Sequence, residues 1–384
     1  MRVLMISDVY FPRINGVSTS IESFRQALAE LDIEVHLIAP HYHAPHPDDE
    51  RITRVPARQV PLDPEDRLMK SGALKRALAA VGRRFDLVHV QTPFAAHYAG
   101  LKYARQHGLP CLATYHTHFE EYLYNYVPGL PKAWLRAAAR QVARRQCNAL
   151  DAIIVPSSAM HDTLGRYGVT RPIYRVPTGI PIAHFDRKGR LASADFRHRY
   201  DIPPDKPVAL YVGRTAHEKN IGFLLAALPH ALKLCPEAIL VVAGEGPALP
   251  ALRREANALG ISRQVRFVGY LDRQTELPDC YAAADLFVFA SRTETQGLVL
   301  LEAMAAGLPV LALAALGTRE IIEPRRGALP APEDPEAFGQ LMAAMLNDPS
   351  RRAAMADEAR AFAREWTTEA CARRLANVYR HVRC

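Results

Sequence analysis

Twice along this chain, short apolar runs of strand length alternate with stretches of helical periodicity, and this double alternation restricts the fold more than any other feature. In the first cycle, strands are expected at 2–7, 34–39, 85–90, 112–115 and 152–155, and helices at 17–31, 73–81, 95–107, 130–148 and 159–167. Between 40 and 68 the chain is rich in Pro, His and charge and reads mostly as loop or short irregular strand. Around 173–190 the pattern breaks into Pro-Thr-Gly-Ile-Pro and then charged residues, which reads as a linker. The cycle then restarts, with strands at 208–212, 238–243, 265–267, 286–290 and 310–312. Helices are expected at 222–234, 248–259, 277–284, 298–306, 337–346, 351–362 and 367–380. Strands separated by helices predict a mostly parallel α/β sheet covered on both faces. Two Rossmann-like domains follow, 1–185 and 186–365, with ligand expected in a deep cleft between their strand ends. A C-terminal helix, 366–384, is expected to pack back toward the first domain.

At 384 residues the chain exceeds what one core usually supports, in keeping with two domains. A formal charge of +8 suits an anionic substrate or an anionic membrane surface and does not by itself imply nucleic acid. The six cysteines are widely spaced with no C-x-x-C pair, which predicts a reducing compartment without structural zinc. The N-terminus begins directly on a strand-like run, with no signal-peptide pattern, and no window approaches a membrane span. The expectation is a cytoplasmic protein, soluble or peripheral on the cytoplasmic face of the inner or plasma membrane.

The densest cluster of chemical signals lies at 291–310, SRTETQGLVLLEAMAAGLPV. It reads as a strand end, a glycine turn, a helix of about two and a half turns and a fresh strand. Gly297 lets backbone approach a ligand, and the helix after it presents N–H groups suited to phosphate. Glu294 and Glu302, eight positions apart, can serve a polar ligand reaching out from the helix mouth. An ordinary surface helix with two glutamates fits the same window.

Elsewhere, each signal also carries two readings. Asn15-Gly16 precedes a helix and is either a plain tight turn or a place where Gly16 brings its N–H to a phosphate or sugar. The loop 213–220, GRTAHEKN, follows a strand, and Arg214 and Lys219 can neutralise a diphosphate or simply be solvated. A second glycine loop, 243–247, either shapes the nucleoside side of a pocket or turns into a helix. His116 follows a strand and is either a hydrogen-bonding cleft residue or a structural one. With His118, Glu120 and Glu121 it superficially suggests a metal site, but extended chain would point the two histidines apart. No D-x-D occurs, so the usual acidic pair for a metal on a diphosphate is absent, and Arg214 and Lys219 can replace the ion electrostatically. Six Lys or Arg fall between 67 and 84 with no acid, and Lys132, Arg136, Arg140 and Arg144 recur every four positions on the 130–148 helix. Trp134, Leu135 and Val142 add apolar surface, and Tyr122, Tyr124 and Tyr126 precede it. This suits an interfacial helix on anionic lipid, or a solvated helix whose apolar side packs on its own sheet.

With these residues in place, the chain resembles the retaining GT-B glycosyltransferases of family 4 over essentially its whole length. The E-x7-E spacing of Glu294 and Glu302 within ETQGLVLLEAMAAGLPV, combined with GRTAHEKN, carries the resemblance, and FPRINGVSTSI and TYHTHF strengthen it. The resemblance implies a nucleotide-sugar donor held by the C-terminal domain, an acceptor held by the N-terminal one, and no required metal or other cofactor. Arg214 and Lys219, with Gly213 in the same loop, would bind the donor diphosphate. Glu302 would take the ribose hydroxyls and Glu294 those of the transferred sugar. Backbone N–H groups near Gln296, Gly297 and Leu298 would add to donor binding, and Gly16 would lie by the diphosphate from the opposite wall. His116 matches the histidine beside the transferred sugar. Family chemistry is front-face transfer in which a phosphate oxygen takes the acceptor proton, so Glu294 is not a glycosidase-type nucleophile.

Thr295-Gln296 replace the frequent Pro-Phe after the first glutamate, and this version is similar to the branch that glycosylates membrane lipids, including diacylglycerol glucosyltransferases. The expected partners are therefore a nucleotide sugar, UDP-glucose ahead of GDP-mannose, and a lipid acceptor at an anionic membrane reached through the two basic segments. Left open are a soluble acceptor, a non-catalytic nucleotide- or lipid-binding scaffold, and an epimerising or phosphorolytic enzyme of the same architecture.

Overall fold

The computed structural model describes residues 1–44, 47–60, 63–82, 84–116, 132–186 and 190–383. The chain forms two compact units, Met1–Gly179 with Thr368–Cys384, and Ile180–Thr367.

The first unit runs β1 (Arg2–Ile6), α1 (Gly16–Ala29), β2 (Glu34–Pro40), β3 (Ile52–Val55), β4 (Ala57–Val60), β5 (Asp63–Met69) and α2 (Ser71–Val81). It continues with β6 (Leu87–Val90), α3 (Ala95–His107), β7 (Cys111–Thr114), α4 (Lys132–Asn148), β8 (Ala152–Val155), α5 (Ser158–Arg166) and β9 (Ile173–Arg175). Seven parallel strands form its sheet in the order β3-β2-β1-β6-β7-β8-β9. Central strands such as β6 and β8 are buried at every position, as a sheet covered on both faces requires.

Two stretches differ from the sequence reading. Part of 40–68 is regular: β3 extends the sheet edge, and β4 with β5 makes an antiparallel hairpin. Their few residues and mixed polarity leave no clean period-2 signal. Likewise the segment read as the start of a linker begins with β9, the last strand of the sheet. Three residues, none of them buried, are too few to announce a strand.

The second unit opens on α6 (Ile182–Phe185), α7 (Arg190–Arg199), β10 (Val208–Val212), α8 (Ile221–Leu232), β11 (Ile239–Ala243), α9 (Leu249–Ala258), β12 (Val265–Gly269) and α10 (Glu276–Ala282). Then come β13 (Leu286–Phe289), α11 (Leu298–Ala305), β14 (Val310–Leu313), α12 (Arg319–Ile322), β15 (Ala328–Ala331), α13 (Pro335–Leu346) and α14 (Pro349–Ala363). Six parallel strands run β12-β11-β10-β13-β14-β15, with the last strand unforeseen because Pro330 interrupts its four residues. The boundary falls at 179/180 rather than 185/186 because Phe185 belongs to the second core, with its ring edge-on to Tyr281 at 5.7 Å.

The final helix, α15 (Thr368–Arg383), returns to the first unit and lies beside α1. Its Cys371, Ala372, Leu375, Ala376, Val378 and Tyr379 are buried in the same cluster as Leu28 and Leu37. Where the chain enters and leaves the second unit, the Ile180 N–H donates to Trp366 O at 2.9 Å.

Candidate functional site

In the second sheet, chain order reverses between β10 and β13, so the loops leaving these neighbours diverge and open a crevice at their carboxyl ends. The loop after β10 carries Gly213, Arg214 and Lys219, and the loop after β13 carries Glu294, Gln296 and Gly297. Asn220, in the left-handed region at φ 56°, ends the first loop, and its amide donates to Ala290 O at 3.1 Å, tying the two loops together. Lys219 Nζ donates to Glu294 Oε1 at 2.5 Å, with both side chains only 18% exposed. Arg214 lies on the same loop, half-buried, beside Gly246, where an added Cβ would stand 3.1 Å from its Cγ.

The glycine loop after β11 has a packing duty. A Cβ on Gly244 would stand 2.0 Å from Gly213 O, so the two loops meet backbone to backbone, and the Thr215 N–H donates to Glu245 O at 2.9 Å.

Gly297 occupies the N-cap of α11 at φ 94°, a region that favours glycine. The backbone before it is anchored by the turn after β14, where Gly317 N–H donates to Glu294 O at 2.9 Å. Gln296 is buried and Leu298 half-buried, so Glu294, Gln296, Gly297, Leu298 and Glu302 all belong to one rigid turn and helix.

Glu302, one turn into α11, is 1% exposed. Its Oε2 accepts from Tyr281 Oη at 3.0 Å and its Oε1 accepts from the Arg273 guanidinium. Burial, then the neighbouring carboxylate, pushes the Tyr281 phenol well above its ordinary value. Burial opposes the Arg273 charge, but Glu302 outweighs it and raises the guanidinium further. Sequence reading did not single out Arg273 or Tyr281. They lie 29 and 21 positions before Glu302, outside any periodic relation to it, so nothing local marks them.

The first unit has its own reversal between β1 and β6. After β1, Asp8 is buried, and its Oδ2 accepts from Thr92 Oγ1 at 2.8 Å and from the Ala96 N–H at the start of α3 at 3.0 Å. Burial pushes its carboxyl up to about 6 against those two hydrogen bonds. Asn15-Gly16 is the start of the helix itself and not a separate tight turn before it. Asn15 Oδ1 accepts from the Ser18 N–H at 2.9 Å, and Gly16 is the first helical residue. A Cβ on Gly16 would meet nothing described within 4 Å, so no described internal contact requires the glycine.

His116, just past β7, pairs through Nε2 with Gln91 Oε1 at 2.8 Å. Burial lowers its imidazole to about 4, so it is neutral at physiological pH. Behind it, the fully buried His89 bonds Tyr379 Oη of α15 through Nδ1 and Thr114 Oγ1 through Nε2, both at 2.7 Å. Among the described residues no group of His, Cys, Asp or Glu is arranged to hold a metal ion, and His118, Glu120 and Glu121 lie outside the described residues.

On α4 the buried face is Ala139, Ala143 and Cys147, while Trp134 and Val142 are 74% and 49% exposed. An apolar side of the helix is therefore packed inward, as the solvated-helix reading expects, while a second apolar strip faces outward, as the interfacial reading expects. Arg140 lies over the Tyr167 ring at 5.8 Å, leaving an outward face of Trp134, Ala137, Ala138 and Val142 flanked by cations. Arg83, in the other basic segment, and Tyr122, Tyr124 and Tyr126 lie outside the described residues. No described helix is long and apolar enough to cross a membrane.

Two parallel α/β units, each with a strand-order reversal lined by polar side chains, match known proteins along both halves. The family model described as Glycosyltransferase Family 4 matches residues 14–184, and that of Glycosyl transferases group 1 matches residues 193–362. The alpha-monoglucosyldiacylglycerol synthase of Streptococcus pneumoniae is 32% identical over 316 residues, covering 81% of this chain and 71% of the relative. A GDP-mannose-dependent alpha-mannosyltransferase of Mycobacterium tuberculosis is 30% identical over 349 residues, 86% of this chain and 84% of the relative. Among solved structures, sucrose-phosphate synthase from Thermosynechococcus elongatus superposes with a TM-score of 0.80 at 24% identity, covering 99% of this chain and 98% of that one. The chain belongs to the family 4, group 1 glycosyltransferases of GT-B fold. It is therefore a nucleotide-sugar-dependent transferase, which sets aside the non-catalytic scaffold and the phosphorolytic and epimerising alternatives.

Proposed function

We propose that this glycosyltransferase moves a hexose, with glucose from UDP-glucose favoured, onto a hydroxyl of a membrane lipid such as diacylglycerol, with retention at the anomeric carbon to give an α-glycoside. The observation that carries the lipid acceptor is the outward face of α4, where Trp134 and Val142 stand exposed among cations. An aromatic and aliphatic face rimmed by Lys and Arg suits the headgroup boundary of an anionic bilayer. The similarity to the alpha-monoglucosyldiacylglycerol synthase of Streptococcus pneumoniae, together with Thr295-Gln296 after Glu294, supports glucose and diacylglycerol. The mycobacterial relative keeps a GDP-mannose-dependent reaction as the second reading.

In this reading Arg214 and Lys219 bind the diphosphate and stabilise the charge that grows on it as the glycosidic bond breaks. Glu294 holds hydroxyls of the transferred sugar, and Glu302 those of the ribose. N–H groups around Gln296, Gly297 and Leu298 complete donor binding, with Gly16 on the diphosphate side. The acceptor oxygen attacks on the face the diphosphate leaves, and a phosphate oxygen takes its proton, so no separate base or metal is required. His116, neutral and donating from one nitrogen, assists by hydrogen bonding and not as a cation.

The test is a matrix of radiolabelled UDP- and GDP-sugars against diacylglycerol, phosphatidylinositol and polyprenyl-phosphate lipids. Transfer from UDP-glucose to diacylglycerol, with an α-linked product, is the expected result. Transfer only to a water-soluble acceptor would overturn the lipid reading.

A further inference from the structure

Each of the two glutamates at the donor crevice is paired with a cation from elsewhere in the second unit, Glu294 with Lys219 and Glu302 with Arg273. The second pair has a geometric consequence. At 1% exposure, the Glu302 carboxylate cannot accept a hydrogen bond from an incoming hydroxyl unless a covering group moves. Two side chains hold that carboxylate. Tyr281 is completely buried, edge-on to Phe185 at 5.7 Å and tilted against Phe287 at 6.0 Å, so moving it would open the core. Arg273 is 25% exposed on a long, flexible stem. It is the only one of the two that can leave without disturbing the packing.

The backbone under Arg273 does not have to move. Asp272 Oδ1 accepts from the N–H groups of Gln274 and Thr275 at 3.0 and 2.9 Å and from Thr275 Oγ1 at 2.8 Å. The Glu276 carboxylate accepts from the Asp272 N–H at 3.1 Å, and Arg273 O lies 2.7 Å from His184 Nε2. The loop is thus held from both sides while the side chain alone spans to Glu302. A guanidinium presents N–H donors to a carboxylate much as a pair of ribose hydroxyls presents O–H donors, so the two compete for the same lone pairs.

We propose that Arg273 is a latch on the ribose carboxylate: its guanidinium covers Glu302, and the ribose of the nucleotide must displace it to bind. This rests on the assignment of Glu302 to the ribose. Arg273 acts through Glu302 and is a positioning residue, setting how much of the nucleotide's binding free energy is spent on opening the site.

The experiment measures binding of UDP, GDP, their 2′,3′-dideoxy analogues and pyrophosphate to wild type, Arg273→Met, Arg273→Lys and Glu302→Gln by calorimetry. Arg273→Met is expected to bind the preferred ribonucleotide roughly tenfold tighter, the scale of one charge-assisted hydrogen bond. The dideoxy analogue and pyrophosphate, which cannot claim the carboxylate, gain nothing, and Arg273→Lys falls between. Equal or weaker ribonucleotide binding by Arg273→Met overturns the latch. A Glu302→Gln protein that still prefers ribonucleotide over dideoxynucleotide as strongly as wild type overturns the ribose assignment instead, and neither nucleotide binding to wild type overturns both. Should the Met variant fail to fold, a crystal structure of wild type with the nucleotide decides. Ribose on Glu302 with the guanidinium moved away supports the latch. Ribose on Glu302 with Arg273 still in place overturns it.

Discussion

His116 shows how burial sets the chemistry open to a single side chain. Its imidazole has a folded value of about 4 against an ordinary 6.5, so the folded protein holds the neutral form. The stability linked to this group is fully present above pH 6.5 and is lost as pH falls through about 4, up to about 3 kcal/mol for that difference. Denaturant unfolding of wild type and His116→Asn between pH 4 and 7 is expected to converge at the acid end, with the variant showing the shallower loss. In activity, His116→Ala is expected to lower kcat more than it raises the donor KM, because the group assists transfer and not donor retention. Lys219→Ala should raise the donor KM and lower kcat together, because it removes charge from the diphosphate subsite both before and during bond cleavage and leaves Glu294 without its partner. Wild-type turnover in Lys219→Ala would remove that residue from the mechanism.

The turn and helix at 294–305 form the element on which the donor reading depends. Gly297 has φ 94°, and a Cβ there would lie 3.1 Å from both Leu300 Cδ1 and Thr318 Cγ2. Gly297→Ala is expected to cost about 1–3 kcal/mol of stability. Because the same strain displaces the first N–H groups of α11, nucleotide affinity should fall with it, which melting curves and calorimetry on one sample would show together. Unchanged affinity at reduced stability would separate the turn from the donor site. This element was legible in the sequence because its signals are local: a glycine before an apolar helix, two carboxylates at fixed spacing, and a Gly-Leu-Pro stop. What Glu302 touches was not legible, since Arg273 and Tyr281 reach it only through the folding of β12, α10 and α11 against one another.

At the scale of the whole molecule, the last helix completes the first unit's core. Six buried side chains of α15, and the Tyr379 hydroxyl on His89, are lost to the first unit if the chain stops at 367. That burial is worth on the order of 5–10 kcal/mol, as much as a domain's entire stability. The truncated protein should therefore show a protease-sensitive first unit beside an intact second one, by limited proteolysis and mass mapping. The exposed face of α4 makes the opposite prediction, a change in partner binding without a change in fold. Trp134→Ser is expected to leave thermal stability unaltered while weakening co-sedimentation with anionic vesicles roughly tenfold, with salt removing much of what remains. Equal vesicle binding by the variant would count against α4 as the contact surface.

The linear chain by itself determined what depends on neighbours in sequence: the two parallel α/β cycles, the helix ends, the E-x7-E glutamates and the cations on the loop after β10. These follow from period, capping and turn chemistry, which act over a few residues. Tertiary structure alone decided which face of α4 turns outward, that β9 and β15 close the sheet edges, and that Lys219 and Arg273 pair with Glu294 and Glu302. Each of these depends on contacts between segments distant in the chain, where the choice is made by competition for burial and for hydrogen-bond partners, and no local pattern records its outcome.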